Sequence, residues 1–266
     1  MNRPWKPSPT IRASFALHAA AGVAAIAHPP AWPWALGAIA VNHAFLAGLG
    51  FWPRSTLLGP NMLRLPEASV RRGEIALTLD DGPDPAATPA MLDILDRYGA
   101  KASFFCVGIR AVQYPDLIGE IAQRGHGVEN HSNGHSNWFT LYGLRRLRRE
   151  VESAQDTLFR LSGRRPRYFR APSGLRNPLL DPVIARLGLR YVAWTRRGFD
   201  TVSGKPGQVL ARLSRGLAAG DILLMHDGGC ALTPAGRPVA LEVLPRLLEL
   251  IYARGLKCVS LPTGGP

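Results

Sequence analysis

Two adjacent carboxylates, Asp80 and Asp81, end the apolar run Ile75 to Leu79 in the stretch EIALTLDDGPDP, Glu74 to Pro85. At the end of a buried strand, each of two like charges disfavours ionisation of the other unless a cation or a specific partner compensates. Further along, ENHSNGHSN places His131 and His135 four residues apart, so that one tight loop or helical turn lets both imidazoles face one point. Two histidines and one carboxylate suit zinc or another divalent first-row ion and leave a coordination position open for water. One carboxylate of the pair then binds the metal and the other is left as a base. Surface or capping histidines satisfy the same spacing when it stands alone; the uncompensated acidic pair tips the reading towards a metal.

Two further stretches supply groups for such a site. YFRAPSG, Tyr168 to Gly174, sets Arg170 at a strand end, with Pro172 and Gly174 holding a rigid turn after it. An arginine there pairs with the carboxylate that does not bind metal and keeps it oriented. DILLMHDGG, Asp221 to Gly229, is an apolar strand that then presents His226. Taken alone, His226 reads as a satisfied histidine at the core edge; near a reacting water it becomes a candidate general acid.

Elements must bring these side chains together. Strand patterns cover Ile75 to Leu79, Ala102 to Val107, Gly127 to Asn130, Tyr168 to Arg170, Arg190 to Trp194, Ile222 to Met225 and Leu256 to Val259. Amphipathic helical patterns alternate with them, such as Thr88 to Gly99, with Pro89 near its start and Gly99 at its end. The fold class is α/β, a mostly parallel sheet, open or closed into a barrel. In such sheets the carboxyl ends of the strands form one face where catalytic residues gather, and Asp80, Asp81, His131, Arg170 and His226 all fall there.

The 266-residue chain carries 32 Lys and Arg against 19 Asp and Glu, with 46% hydrophobic residues. That allows one full domain with a core plus an appendage, and excludes a disordered chain. The basic surplus includes LRRLRRE, Leu144 to Glu150, which suits anionic headgroups or a phosphorylated substrate, or is a solvated helix face. No zinc-finger or helix-turn-helix pattern accompanies it, so nucleic acid is not an expected partner. Cys106, Cys230 and Cys258 lack paired spacing and read as buried free thiols.

Residues 1–65 differ in kind from residues 66–266. Ala13 to Ala27 and Trp32 to Trp52 are uncharged runs, apart from histidines, separated by His28-Pro29-Pro30. The second run meets the span length of about 20 residues and has tryptophans at its ends; the first meets it only marginally. A helical hairpin in a membrane is the expected form, against a cleavable signal peptide ending at Ala25-Ile26-Ala27 or a buried soluble hairpin. Arg3, Lys6 and Arg12 precede the pair, and Arg54, Arg64, Arg71 and Arg72 follow it, so the positive-inside rule places both flanks in the cytoplasm. A single span would instead make the following domain periplasmic.

TLDDGP (Thr78 to Pro83), HSNGH (His131 to His135), RAPSG (Arg170 to Gly174) and LLMHD (Leu223 to Asp227) resemble, in order, four motifs of the polysaccharide deacetylase family, also called carbohydrate esterase family 4 or the NodB homology family. The resemblance spans about residues 73–262 and implies a distorted (β/α) barrel; with the apolar runs before it, the expectation is a membrane-anchored bacterial member. It implies one divalent metal, zinc with cobalt or manganese as alternatives, and hydrolysis of N-acetyl groups on amino sugars. Carried over, Asp81, His131 and His135 hold the metal, Asp80 is the base, Arg170 its tether and His226 the acid. Leu224 lines the acetyl pocket, and a backbone N–H near Gly82 stabilises the oxyanion. Pro172, Trp194 and Arg197 fall among the residues expected to meet substrate.

The chain departs from the family in WTRRGFDTV, Trp194 to Val202, where a D-x-x-D-W-like motif is common: Arg197 and Thr201 stand where an Asp and a Trp are expected, and Asp200 is the candidate supporting acid. Arg196 and Arg197 point to an anionic group on the substrate, or are surface arginines. The expected partners are an N-acylated glycan and the bacterial inner membrane. A deformylase or deacetylase of a polyprenyl-phosphate-linked sugar, an O-acetyl esterase and a non-catalytic carbohydrate-binding protein are the alternatives.

Overall fold

The structure, a computed structural model, describes residues 4–262; Arg3 lies outside them. In chain order the elements are α1 (Pro9–Ala27), α2 (Trp32–Gly50), α3 (Glu67–Arg71), β1 (Glu74–Asp80), α4 (Thr88–Arg97), β2 (Ala102–Cys106), α5 (Gly108–Gln113), α6 (Pro115–Gln123) and β3 (Gly127–Asn130). They continue with α7 (Leu144–Ser162), β4 (Tyr168–Phe169), α8 (Leu180–Arg186), β5 (Arg190–Tyr191), β6 (Arg196–Arg197), α9 (Pro206–Ser214), β7 (Ile222–His226), α10 (Val239–Ala253) and β8 (Lys257–Val259). The strands form one curled parallel sheet in the order β5-β4-β3-β2-β1-β7-β6, with β8 paired to the start of β1. This is the distorted (β/α) barrel.

The alternation of a strand decides which side chains meet. Ile75, Leu77 and Leu79 of β1 join the core formed with α4, α9 and α10, where Met91, Leu92, Leu213 and Leu247 are fully buried. Ala76 packs inside the curl with Phe105, Tyr168, Val192 and Ile222, so Thr78 and Asp80 share that inner face. Each buried leucine of the helix layer stabilises by about 1.5–3 kcal/mol. Register then aligns the strand ends: Asp80 lies beside Phe105 and His226, Cys106 beside Asn130, and Asn130 beside Phe169.

The curl is completed by the segment that leads in from the hairpin. Met62 bridges in parallel to Val192, and Leu65 N–H donates to the Gly220 carbonyl, so residues 62–65 lie between β5 and the start of β7. The boundary expected at 65/66 falls just after this segment. β6 is a strand that the sequence pattern does not show, and the strand expected over Arg190 to Trp194 is only Arg190–Tyr191, because Ala193 pairs with Met62 instead.

Ser8 caps α1 by accepting from Ile11 N–H, and Pro9 opens the helix. Each hairpin helix has 19 residues, about 28 Å at the usual rise, against a bilayer core of about 30 Å. Among the described residues only α1 is long and apolar enough to cross a membrane, and 11% of its apolar window is buried. This reverses the expected ranking of the two runs: Asn42 and His43 interrupt the apolar character of α2. Those polar groups face α1. Asn42 Nδ2 donates to Ser14 Oγ at 2.8 Å, and the His18 and His43 Nε2 atoms are 3.2 Å apart. Outward, Val23, Ile26, Trp34 and Val41 are each more than 65% exposed. Both roots of the hairpin dock on the barrel: Trp5 Nε1 donates to Asp181 at 2.7 Å, and Gly50, too close to the Arg176 carbonyl to carry a Cβ, receives Arg176 N–H.

Candidate active site

Asp80 and Asp81 leave β1 in different directions because Asp81 takes a left-handed backbone with φ 75°. Asp80 stays in the inner face, 3% exposed, and its Oδ1 accepts from Arg170 Nη1 at 2.6 Å. Arg170 is completely buried after β4. Nη1 also donates to Thr78 Oγ1, Nη2 to the Ala193 carbonyl and Nε to the Val192 carbonyl, while the guanidinium lies 4.2 Å from the Phe105 ring centroid. Its own carbonyl accepts from His131 Nδ1 at 2.9 Å. One residue thus orients both a carboxylate and an imidazole, and the bond at Nδ1 leaves His131 Nε2 with a free lone pair.

Nε2 of His131 and of His135 lie 3.1 and 2.9 Å from Asp81 Oδ1. The loop that carries the histidines is tied to α7: Asn130 Nδ2 donates to Gln155 and to the Val151 carbonyl, and Gly134 N–H to Glu150. Burial opposes ionisation of Asp81, yet the two imidazoles together hold its carboxyl well below the usual range.

Across the pocket, β7 delivers His226, 5% exposed, and Asp200 fixes it twice: Oδ2 accepts from His226 N–H and Oδ1 from its Nδ1, each at 2.8 Å. Burial of the ring opposes protonation, but the Asp200 hydrogen bond and charge, with Asp80 and Asp81 adding, raise its pKa overall. A pocket of about 200 Å³ lies between the two halves, lined by Asp80, Asp81, His131, His135, His226 and Leu224 and closed on one side by Trp194 and Arg197.

Two expected substrate contacts do not line that pocket. Gly82 is buried against the Asp227 carboxylate, which occupies the place where a Cβ would stand, and Pro172 is buried one residue before Ser173 and Gly174, which do line the pocket. Arg196 is also turned away: on a strand its side chain opposes that of Arg197, and it donates to Asp221 at 2.7 Å and to the carbonyls of Arg215 and Gly216. Arg197 remains in the pocket, its buried Nε without a partner. Sequence reading missed Ser173, Gly174 and Gly229 as lining residues, small loop residues that carry no spacing signal, while Thr201, noted at the place of an expected Trp, also lines the pocket. It also gave no role to Asp227. Its side chain is 1% exposed and accepts from Thr88 Oγ1 at 2.6 Å, while the backbone N–H groups of Asp227 and Gly228 both donate to the Asp80 carbonyl. Burial first, then the charges of Asp81 and Asp80, push its pKa up to about 7.

The three donors fit a metal ion. Asp81, His131 and His135 each offer one ligand atom, all within 4.8 Å of one another. Asp81 Oδ1 is buried and, despite its two close nitrogens, makes no hydrogen bond of proper angle. Lone pairs that converge without protons between them are what a divalent cation resolves.

The strand ends thus gather Asp80, His226 and a trio of side chains able to hold a metal ion around one pocket. Residues 67–192 match the family model for polysaccharide deacetylase. The chitooligosaccharide deacetylase of Azorhizobium caulinodans is 32% identical over 199 residues, covering 72% of this chain and 94% of that protein. A peptidoglycan-N-acetylglucosamine deacetylase of Bacillus cereus is 31% identical over 185 residues, 67% of this chain and 83% of its own length. A family 4 carbohydrate esterase from Streptomyces lividans, solved with acetate, superposes with a TM-score of 0.64 at 30% identity, over 70% of this chain and 91% of that one. The chain belongs to the polysaccharide deacetylase family, metal-dependent hydrolases of carbon–nitrogen bonds other than peptide bonds.

Proposed function

We infer that this protein removes the acetyl group from an N-acetylated amino sugar of a glycan at the bacterial inner membrane, with its barrel on the cytoplasmic side. The observation that carries the chemistry is Arg170, whose side chain holds Asp80 and whose carbonyl holds His131. It sets the base and one metal ligand in a single frame. Asp81, His131 and His135 are the residues that would hold the ion. When bound, a divalent cation such as zinc lowers the pKa of a water towards about 7 and polarises the amide carbonyl.

Asp80 is held by Arg170 through Oδ1, which leaves Oδ2 to take the proton of the attacking water. His226, with Nδ1 committed to Asp200, presents Nε2 to protonate the departing amine, which is too basic to leave as an anion. Leu224 and Trp194, both buried, give an apolar wall of the right kind for an acetyl methyl. The side assignment takes α2 as a second span, although among the described residues α1 alone has the length and apolar character for one; Lys6, Arg12 and Arg54 are then exposed on the same flank of the pair. A reporter fused after Pro266 that works only in the periplasm would overturn it.

Acetate release from N-acetylchitooligosaccharide tests the reaction. Release abolished by a chelator and restored by zinc or cobalt is expected. Asp80→Asn should lower turnover by about 10²–10⁴ while the purified variant retains metal. Loss of metal in this variant would show that the two carboxylates have been assigned the wrong way round, and turnover near the parent's would remove Asp80 from the role of base.

A further inference from the structure

The geometry points to Phe199 as the platform of a second sugar subsite: the hollow beside the loop between β6 and α9 takes the sugar next in the chain to the one that loses its acyl group, so that the protein acts on an oligomeric glycan. This deepens the deacetylase reading and rests on it for the reacting sugar.

Phe199 is held in the left-handed backbone region with φ 58°. A Cβ crowds the following carbonyl there, so glycine or asparagine is the usual occupant and a bulky residue is an outlier. The cause lies on either side. Gly198 is buried so close to Val209 and Leu213 of α9 that a Cβ would press on them, and buried Asp200 reaches inward to His226. Residue 199 is left at the apex between them, and its ring is 46% exposed. The fold asks only for that backbone conformation, which glycine or asparagine would supply with less strain. A phenyl ring there adds strain and recovers little by burial. Side chains held against strain in this way gather at ligand sites.

The ring borders a hollow of about 490 Å³, lined also by Val202, Ser203, Lys205, Gln208 and Arg212, on the loop that leaves the carboxyl end of β6. A stack of rings and guanidinium groups joins this hollow to the catalytic pocket. Arg197 Cζ lies 5.6 Å from the Trp194 ring centroid and 5.0 Å from that of Phe199, and Arg212 Cζ lies 5.5 Å from Phe199. Trp194 and Arg197 line the catalytic pocket, Phe199 and Arg212 the hollow, so the phenyl ring has a fixed place relative to the reacting group. Sites that enclose a whole ligand span about 300–1,000 Å³. The catalytic pocket, about 200 Å³, holds the reacting sugar at most, and the next sugar lies outside it. Thr201 of the pocket is two residues from Phe199, at most about 7 Å, and sugars joined through one oxygen are neighbours on that scale. A pyranose ring has an apolar face of C–H groups and a rim of hydroxyls. Phe199 and Val202 offer apolar surface to the face, and Ser203, Lys205 and Gln208 offer hydrogen-bonding groups to the rim.

Steady-state kinetics of the zinc-loaded full chain on N-acetylchitotetraose test this. Phe199→Asn, which suits the left-handed backbone, should melt no lower than the parent and raise KM about tenfold with kcat within about twofold. Phe199→Tyr keeps the ring and should keep the parent's KM. A KM unmoved by Phe199→Asn overturns the proposal. So does a lower kcat at unchanged KM with the basic limb of the pH profile moved down, the signature of a loop that only positions Asp200. The zinc-loaded Asp80→Asn protein, which leaves the ligand intact, separates the subsite from the reaction. In calorimetry it should bind N-acetylchitotetraose about tenfold more tightly than the Asp80→Asn, Phe199→Asn double variant. Equal affinities, or no binding by either, overturn the subsite. Failure of the deacetylase reading would show instead as no acetate release by the parent, with that difference in affinity intact.

Discussion

At the mouth of the barrel, apolar side chains fill the interior and polar ones converge at the strand ends, each held by a partner: Arg170 on Asp80, Asp200 on His226, Thr88 on Asp227. In the hairpin the order is reversed. Ser14, His18, Asn42 and His43 meet between the helices, while Val23, Ile26, Trp34 and Val41 face outward. A hairpin built for water would hide the second set and show the first. The barrel mouth buries its polar groups at the candidate site, and the hairpin turns polar groups towards the partner helix and leaves apolar ones outside, the contrast on which the proposed membrane placement rests.

The sharpest way to strain the barrel side of this contrast is to unpair a buried charge. Arg170→Met should destabilise the protein by about 3–5 kcal/mol in denaturant unfolding, because Asp80 is left buried without its cation. The same change at Arg148, whose bond to Glu152 lies on the exposed face of α7, should cost about 0–1 kcal/mol. Equal losses at the two positions would mean that the Asp80–Arg170 pair is solvated in the folded protein.

The hairpin side is strained by placing one charge in each solvent. Val41 and Val202 are 71% and 78% exposed, so a water-filled exterior treats Asp at either position alike, within about 0.5 kcal/mol. In lipid, Val41→Asp near the middle of α2 opposes insertion by about 2.5–3.5 kcal/mol. The expected result is loss of Val41→Asp from carbonate-washed membranes while Val202→Asp stays with the parent. Retention of both would mean that Val41 does not face lipid, and release of the parent itself would place the hairpin outside the bilayer.

What could be read in the sequence followed from how locally each feature is encoded. The run Ile75 to Leu79 is legible because a strand buried on both faces is a continuous apolar run, and His131 with His135 because four residues of spacing fix their mutual reach. β6 is two arginines long and leaves no apolar signature; that Arg196 belongs to Asp221 and Arg197 to the pocket depends on a carboxylate from another part of the chain. The packing of Gly82 on Asp227 is likewise a tertiary fact that the local sequence does not carry. The hairpin was legible as apolar, but its better span was misjudged, since which polar residues face the partner helix is set by the register between helices.

The smallest expected effect separates orientation from charge at the acid side. Asp200 raises the pKa of His226 against the opposing effect of burial. In the proposed mechanism protonated His226 is the form that donates to the departing amine, so activity should be lost as pH rises through its folded-state pKa. Asp200→Asn keeps one oxygen to accept from Nδ1, removes the charge and gives up the second bond, from the His226 backbone N–H. His226 then deprotonates at lower pH, and the basic limb of the kcat profile moves down, with the acidic limb in place. The stability contribution has the same sign: the raised pKa supplies stability that is complete below the ordinary histidine value of about 6.5 and fades above it, so the variant should lose more stability in acid than in base. A basic limb that stays put would make Asp200 a steric support for His226 alone, and would weaken the claim that the barrel mouth, unlike the hairpin, uses its buried polar groups for their charge.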